Sequence, residues 1–301
     1  MTPKPRVKYS NDNIMRLLAG RDTVTIAAGF RFDNGALLCA DTKYVGAMAL
    51  YNPKLFPKGY KNGTASIFAV VGNSAFSRMA VDKCEAALAQ LSDPSQSKMT
   101  AAIESVLLKV HKQHVFPHPD RNLEGGPDFW LILALYSPVD KVSTFYTTQT
   151  ALVPFDLYHC SGSGEYLGHY LIKPRYQKHE PLNRAVSVAC TALTRIKSYD
   201  ANCGGNSQFI LLDNDGYIGE ARQFNITSTE RFSEQFHDLS EHLYEEISDV
   251  ELSKEEVAKK FSVFEDVVVH YRDKHVKEKD AYNTLVNSLR RSISGTSESE
   301  P

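Results

Sequence analysis

The order of strand-like and helix-like segments predicts an α+β chain built as a four-layer αββα sandwich, two antiparallel sheets with helices packed outside. Three observations carry this. β-Rich runs come in groups (four, then three, then two) separated by pairs of helical stripes. Short Asn-Gly-type turns join neighbouring runs, which suits antiparallel hairpins. Single strands do not alternate with single helices, as a parallel βαβ sheet requires.

The elements follow in order. TVTIAAGF (23–30) and ALLCAD (36–41) are β-rich around the Asp33-Asn34-Gly35 turn, and read as a hairpin. A second pair spans Pro53–Pro57 and SIFAVVG (66–72), around Lys61-Asn62-Gly63. From Asn73 to Leu91 the period changes: Phe76, Met79, Ala80, Cys84, Ala87, Leu88 and Leu91 fall on one helical stripe. Met99 to Val115 makes a second helix, ended by Pro117 and Pro119. Strands return at Phe129–Tyr136, Val142–Thr147 and Ala151–Tyr158. SGSG (161–164) opens a third helix and Leu182–Lys197 forms a fourth. GGNSQFILLD (204–213), an Asn214-Asp215-Gly216 turn and Tyr217–Ala221 give the last strand pair. From Phe232 onward Phe236, Leu239, Leu243 and Ile247 keep a helical stripe, and Ser253 with Glu256 forms a capping box before Val257.

Composition narrows the function classes. The 301 residues allow one large domain or two small ones. Lys+Arg number 34 against 36 Asp+Glu, so overall charge argues for neither nucleic acid nor an anionic membrane surface. Five cysteines, an odd number without a CxxC pair, read as reduced thiols of a cytoplasmic protein. The N-terminus lacks the apolar core of a signal peptide, and no apolar run reaches the ~18 residues of a membrane span. No Walker or Rossmann motif occurs, and no cofactor is expected. His111, His114 and His118 make an HxxHxxxH pattern, but Pro117 breaks the helix before His118, so the expected metal set is none.

The chemistry concentrates in one ordered set. TIAAGFRFDNGALLCADTK (25–43) holds Thr25, Gly29, the Asn34-Gly35 turn and Ala40-Asp41-Thr42-Lys43. Lys54 follows in NPKLF, then Val70-Val71-Gly72 before the first helix, Gly162-Ser163-Gly164 before the third, and Asp200-Ala201-Asn202-Cys203-Gly204-Gly205. This set resembles proteasome β-type subunits of bacterial type, members of the N-terminal-nucleophile (Ntn) hydrolases, over about residues 23–222. The resemblance implies the Ntn-hydrolase fold, a homo-oligomer that can be ring-shaped, and a threonine-type peptidase or amidase acting on a peptide or amide.

The resemblance implies a role for each residue, and residue chemistry gives each role a reason. Thr25 is the nucleophile, forming an acyl-enzyme. Its hydroxyl needs a base, and a free α-amine, titrating near ~7.7–8, supplies one once residues 1–24 are removed. Lys54 lowers the amine's pKa by like-charge repulsion; Lys58 is its fallback. Asp41 holds Lys54. Ser163, Asp200 and Cys203 orient the amine, with Cys203 standing where Ser is usual and bonding more weakly. The amide of Gly72 stabilises the oxyanion. Val24 stands where self-processing members carry Gly. The implied division is a leader (1–24), a hydrolase domain (25–222), a helical extension (223–290) and a disordered tail (291–301). Two alternatives remain at this level: a non-catalytic structural subunit, and an Ntn amidase of small substrates, which the short Asp41–Lys54 loop would suit.

Overall fold

A computed structural model describes residues 25–44, 50–121, 126–248, 251–266 and 268–270. The expected leader 1–24, with Val24, and the expected tail 291–301 lie outside the described residues, and the expected extension is described only as far as residue 270.

Strands β1 (Ile26–Phe32) and β2 (Gly35–Asp41) form an antiparallel hairpin in which Ala27 faces Ala40. Short strands β3 (Lys43–Tyr44) and β4 (Leu50–Tyr51) pair separately. Then come β5 (Leu55–Gly59), β6 (Ala65–Gly72), helix α1 (Ser74–Ala89) and helix α2 (Gln96–Val110). The Asn73 side chain caps α1 by accepting from the amides of Ala75 and Phe76. Helix α2 runs on as one turn of π-helix, His111–Val115, closed by the Phe116 amide on the His111 carbonyl.

Strands β7 (Phe129–Ser137), β8 (Lys141–Thr148), β9 (Ala151–Pro154) and β10 (Tyr158–Gly162) follow. Helices α3 (Glu165–Ile172) and α4 (Leu182–Tyr199) lead to β11 (Ser207–Asp213), β12 (Ile218–Glu220) and the long α5 (Gln223–Ile247). One five-stranded sheet has the order β10-β1-β2-β11-β12, the other β5-β6-β7-β8-β9, and every pairing is antiparallel.

Side-chain alternation along the strands divides the apolar residues into three clusters. Phe30, Leu37, Phe209, Ile172, Val186 and Ile196 join the first sheet to α3 and α4. Phe68, Leu131, Val81, Leu88, Ile103 and Leu107 join the second sheet to α1 and α2. Ala27, Leu38, Ile67, Ala69, Ile132 and Ile210 fill the space between the sheets.

Two sequence expectations need correcting. The run Ala151–Tyr158, read as one strand, is two strands in different sheets: β9 ends at Pro154, β10 begins at Tyr158, and the chain crosses between. The interior Pro lacks an amide proton for a continued ladder. The last described long helix begins at Gln223 rather than near Phe232, because Asn225 and Ile226 are buried against the body. The capping box forms, with the Ser253 amide on Glu256 Oε2 at 2.9 Å and the Glu256 amide on Ser253 Oγ at 3.3 Å.

Candidate active site

Hairpin geometry brings the residue before β1 next to the last residue of β2, so Thr25 and Asp41 meet at one end of the first sheet. Thr25 Oγ1 donates to Asp41 Oδ1 at 2.6 Å, and the Ile26 amide donates to the same oxygen at 3.1 Å. Lys54 enters from just before β5. Its Nζ donates to Asp41 Oδ1 at 2.6 Å, to Thr25 Oγ1 and to the Lys43 carbonyl. Three ammonium protons thus have three acceptors.

All three side chains are closed off from solvent, at 1% exposure for Thr25 and 0% for Asp41 and Lys54. Burial pulls the Lys54 pKa down and the Asp41 carboxylate pulls it back up. The Lys54 ammonium also lies 4.6 Å from the centre of the Tyr44 ring. A buried ion pair persists only when its remaining valences are filled. Asp41 Oδ2 accordingly accepts the Gly204 amide at 2.8 Å, and the Lys54 amide donates to Gln208 Oε1 at 2.7 Å.

The β10–α3 turn grips Thr25 from the other side. Gly162, opposite Ile26 in the ladder, has φ +116°, and a Cβ there would collide with the Thr25 carbonyl. That carbonyl accepts from Ser163 Oγ at 3.3 Å. Ser163 Oγ lies 3.6 Å from Cys203 Sγ, whose thiol donates to Asp200 Oδ2 at 3.4 Å. Burial pushes the Cys203 thiol pKa well up, so it is a protonated donor. Asp200 therefore reaches Thr25 only through Cys203 and Ser163, and its other oxygen accepts the Asn202 amide at 2.9 Å.

Gly72 ends β6 at φ +89°, where a Cβ would meet the Asp128 carbonyl. The Val70 amide donates to the Lys54 carbonyl, which sets Gly72 two residues along the strand from Lys54. Lys58 stands apart, paired with Glu85 at 2.7 Å.

Several contributors escaped the sequence reading. The Lys43 carbonyl and the Gly204 amide act through backbone atoms, which no residue type announces. A second network sits one strand away: Ser207 faces Asp41 in the ladder, and its hydroxyl donates to Glu230 on α5 at 2.5 Å. Lys197 pairs with Glu230 at 2.8 Å and reaches the Gly205 carbonyl at 3.4 Å.

A cavity of about 520 Å³ is lined by residues of β7, β8, β10, the start of α3 and the π-helical turn. Its wall includes His111, Asp128, Trp130, Tyr146, His159 and Glu165. His111 is buried, yet neither ring nitrogen has a hydrogen-bond partner, and burial lowers its pKa. Such orphaned groups cost about 1–3 kcal/mol each. The HxxHxxxH residues divide here: His111 joins the cavity wall, while His114 and His118 pack near the Phe76 ring. Among the described residues no group of three His, Cys, Asp or Glu side chains is placed to hold a metal.

No family model and no curated protein matches the chain. Solved structures do. A Gly-1 mutant of Anbu from Hyphomicrobium sp. strain MC1 superposes with a TM-score of 0.61 at 13% identity, covering 75% of this chain and 100% of that one. Anbu from Yersinia bercovieri, described as an ancestral β-subunit, gives 0.61 at 12%, covering 76% and 99%. Anbu from Pseudomonas aeruginosa, solved as a helical assembly, gives 0.59 at 15%, covering 72% and 96%. These findings correct the sequence-level resemblance to bacterial proteasome β-type subunits. The likeness is to Anbu, at identities that speak for the fold alone. Among the described residues no helix is long and apolar enough to cross a membrane.

Proposed function

We propose that this chain is a threonine-type amidohydrolase acting on peptide or small amide bonds, with Thr25 as nucleophile. The observation that carries the reading is the buried contact of Thr25 Oγ1 with Asp41 and Lys54. A threonine used only as a strand residue does not need a buried ion pair on its hydroxyl. The Anbu-like fold supports the four-layer arrangement, with residues 25–222 as the hydrolase module and the rest as leader and extension.

In the proposed reaction Oγ1 attacks the substrate carbonyl and gives up its proton to a base, and the tetrahedral oxyanion rests on the Gly72 amide. The leaving amine departs with that proton, and water cleaves the ester left on Thr25. With residues 1–24 removed the base is the Thr25 α-amine; Ser163 holds the Thr25 backbone through its carbonyl, with Cys203 and Asp200 as positioning residues behind. With the leader attached, Asp41 and Lys54 are the described side chains hydrogen-bonded to the hydroxyl. Five buried free cysteines support a reducing, cytoplasmic setting. Assembly into a homo-oligomer is part of the same reading.

The test is the N-terminal residue and the turnover of the purified protein. Intact-mass spectrometry is expected to find a species beginning at Thr25, and that species is expected to hydrolyse peptide amides. Thr25→Ala is expected to abolish both cleavage and hydrolysis while leaving the circular dichroism unchanged. The burial of Thr25 favours a second reading, a non-catalytic structural subunit. A chain that stays full-length and is inert toward peptide and small amide substrates establishes that reading instead.

A further inference from the structure

The cavity lined by β7, β8 and β10 has a ligand chemistry of its own. Alternation along β1 turns Thr25, Ala27 and Gly29 toward the opposite sheet. Ser161 and His159 are the ladder partners of Ala27 and Gly29, and both line the cavity. The cavity therefore continues the row that ends at Thr25. From the ladder register, Ser161 stands about 9 Å from Thr25 between Cα atoms.

Among the described residues its charges have one sign: Asp128 and Glu165 line it, and neither Lys nor Arg does. His159 is neutral near pH 7, because burial and the nearby His169 push its pKa down to about 4. Its ring stacks on Tyr146 at 3.8 Å and 7°, making a flat aromatic wall. Arg121 opposes protonation of His111 but is held over the Phe116 ring, outside the lining. Glu165 has a loose partner in His169 at 3.9 Å. The buried His111 side chain lines the same space with two unpartnered nitrogens, one of which is an acceptor in the neutral ring.

We infer that this cavity binds a guanidinium or ammonium side chain, setting a basic residue of a peptide next to the Thr25 hydroxyl. Two carboxylates supply the countercharge, the Tyr146–His159 wall takes a planar cation by stacking, and the acceptor nitrogen of His111 receives one of its N–H groups. Binding stands on the cavity alone; the orientation toward Thr25 rests on the proposed amidohydrolase reading.

Trp130 lines the cavity and is the only tryptophan of the chain, so its fluorescence reports occupancy without turnover. The full-length Thr25→Ala protein is titrated with N-acetyl-arginine methylamide and with its neutral isostere, N-acetyl-citrulline methylamide. A saturable fluorescence change with the arginine compound, at least about tenfold weaker with citrulline, is expected. Asp128→Asn and Glu165→Gln are each expected to weaken the arginine compound by about tenfold while keeping the parent's melting temperature. No saturable change, equal binding of the two compounds, or arginine binding unaffected by both substitutions overturns the inference. Arginine binding in a protein whose Thr25 form never cleaves amides leaves the pocket standing and defeats the catalytic reading. Cleavage without preference for basic residues does the reverse.

Discussion

Lys54 concentrates the electrostatics of the site in one side chain. Burial lowers its folded pKa below the ordinary 10.5. The unfolded chain therefore binds the extra proton between the lowered folded value and 10.5, and stability rises with pH across that window. Lys54→Met removes this dependence, so the difference in unfolding free energy between parent and variant is expected to grow in the parent's favour from pH 7 to pH 10, measured by urea melts. A constant difference would show that the pKa is not lowered. Near pH 7 the substitution also strands Asp41, a loss of about 3–5 kcal/mol for breaking a buried pair. Cys203 makes the complementary case. Cys203→Ser puts a better hydrogen-bonding hydroxyl between Ser163 and Asp200, and under the proposed chemistry keeps or raises activity. All five thiols are buried, so a thiol reagent is expected to find none in the native protein and five after denaturation. What the sequence offered at this scale was a set of side chains in a recognisable order: Thr25, Asp41 and Lys54 could be singled out because the ordered motifs around them resemble those of a known hydrolase family, and their side-chain chemistry gave each implied role a reason. The Gly204 amide and the Lys43 carbonyl could not, since every residue carries those groups.

At the level of elements, hairpins with Asn-Gly turns and stripes such as Phe76 to Leu91 were legible because pleat and helix impose fixed periods. The crossing between β9 and β10 was not, because a run of apolar residues does not say which sheet each half joins. The junction of α2 with its π-helical turn was equally silent. His111 sits there between the Phe116 and Phe129 rings without a polar partner. His111→Phe keeps the aromatic packing and removes two orphaned nitrogens. It is expected to stabilise the protein by about 1–2 kcal/mol in chemical denaturation; a loss for His111→Phe and for the smaller His111→Leu alike would show that water or a ligand already satisfies the imidazole. The β10–α3 turn makes the opposite prediction. Gly162→Ala forces a Cβ at φ +116° into the Thr25 carbonyl, so a loss of about 1–3 kcal/mol is expected together with loss of activity.

Over the whole molecule, the sheets and the three apolar clusters leave several large apolar side chains exposed among the described residues. Tyr166 and Tyr170, one turn apart on α3, are 86% and 71% exposed, and Tyr199 and Phe224, at the end of α4 and the start of α5, are 65% and 78% exposed. Isolated exposed aromatics need no explanation, but a Tyr pair at i, i+4 presents a continuous ridge. Burying two such rings against another copy removes on the order of 200 Å² of apolar surface, worth several kcal/mol at about 25 cal/mol per Å². That is enough to anchor a contact, though not to form a stable one alone. A sequence read one chain at a time cannot separate such a ridge from a core stripe, because both are apolar at helical spacing. If the proposed homo-oligomer uses α3, the parent sediments as a multimer at micromolar concentration, and the double substitution Tyr166→Glu with Tyr170→Glu shifts it to the mass of one chain while leaving its melting temperature within a few degrees. Introducing like charges on both sides of a self-contact opposes association without touching the buried site. A parent that already sediments as a monomer removes the oligomer from the reading. A multimer that survives the double substitution moves the contact to another face.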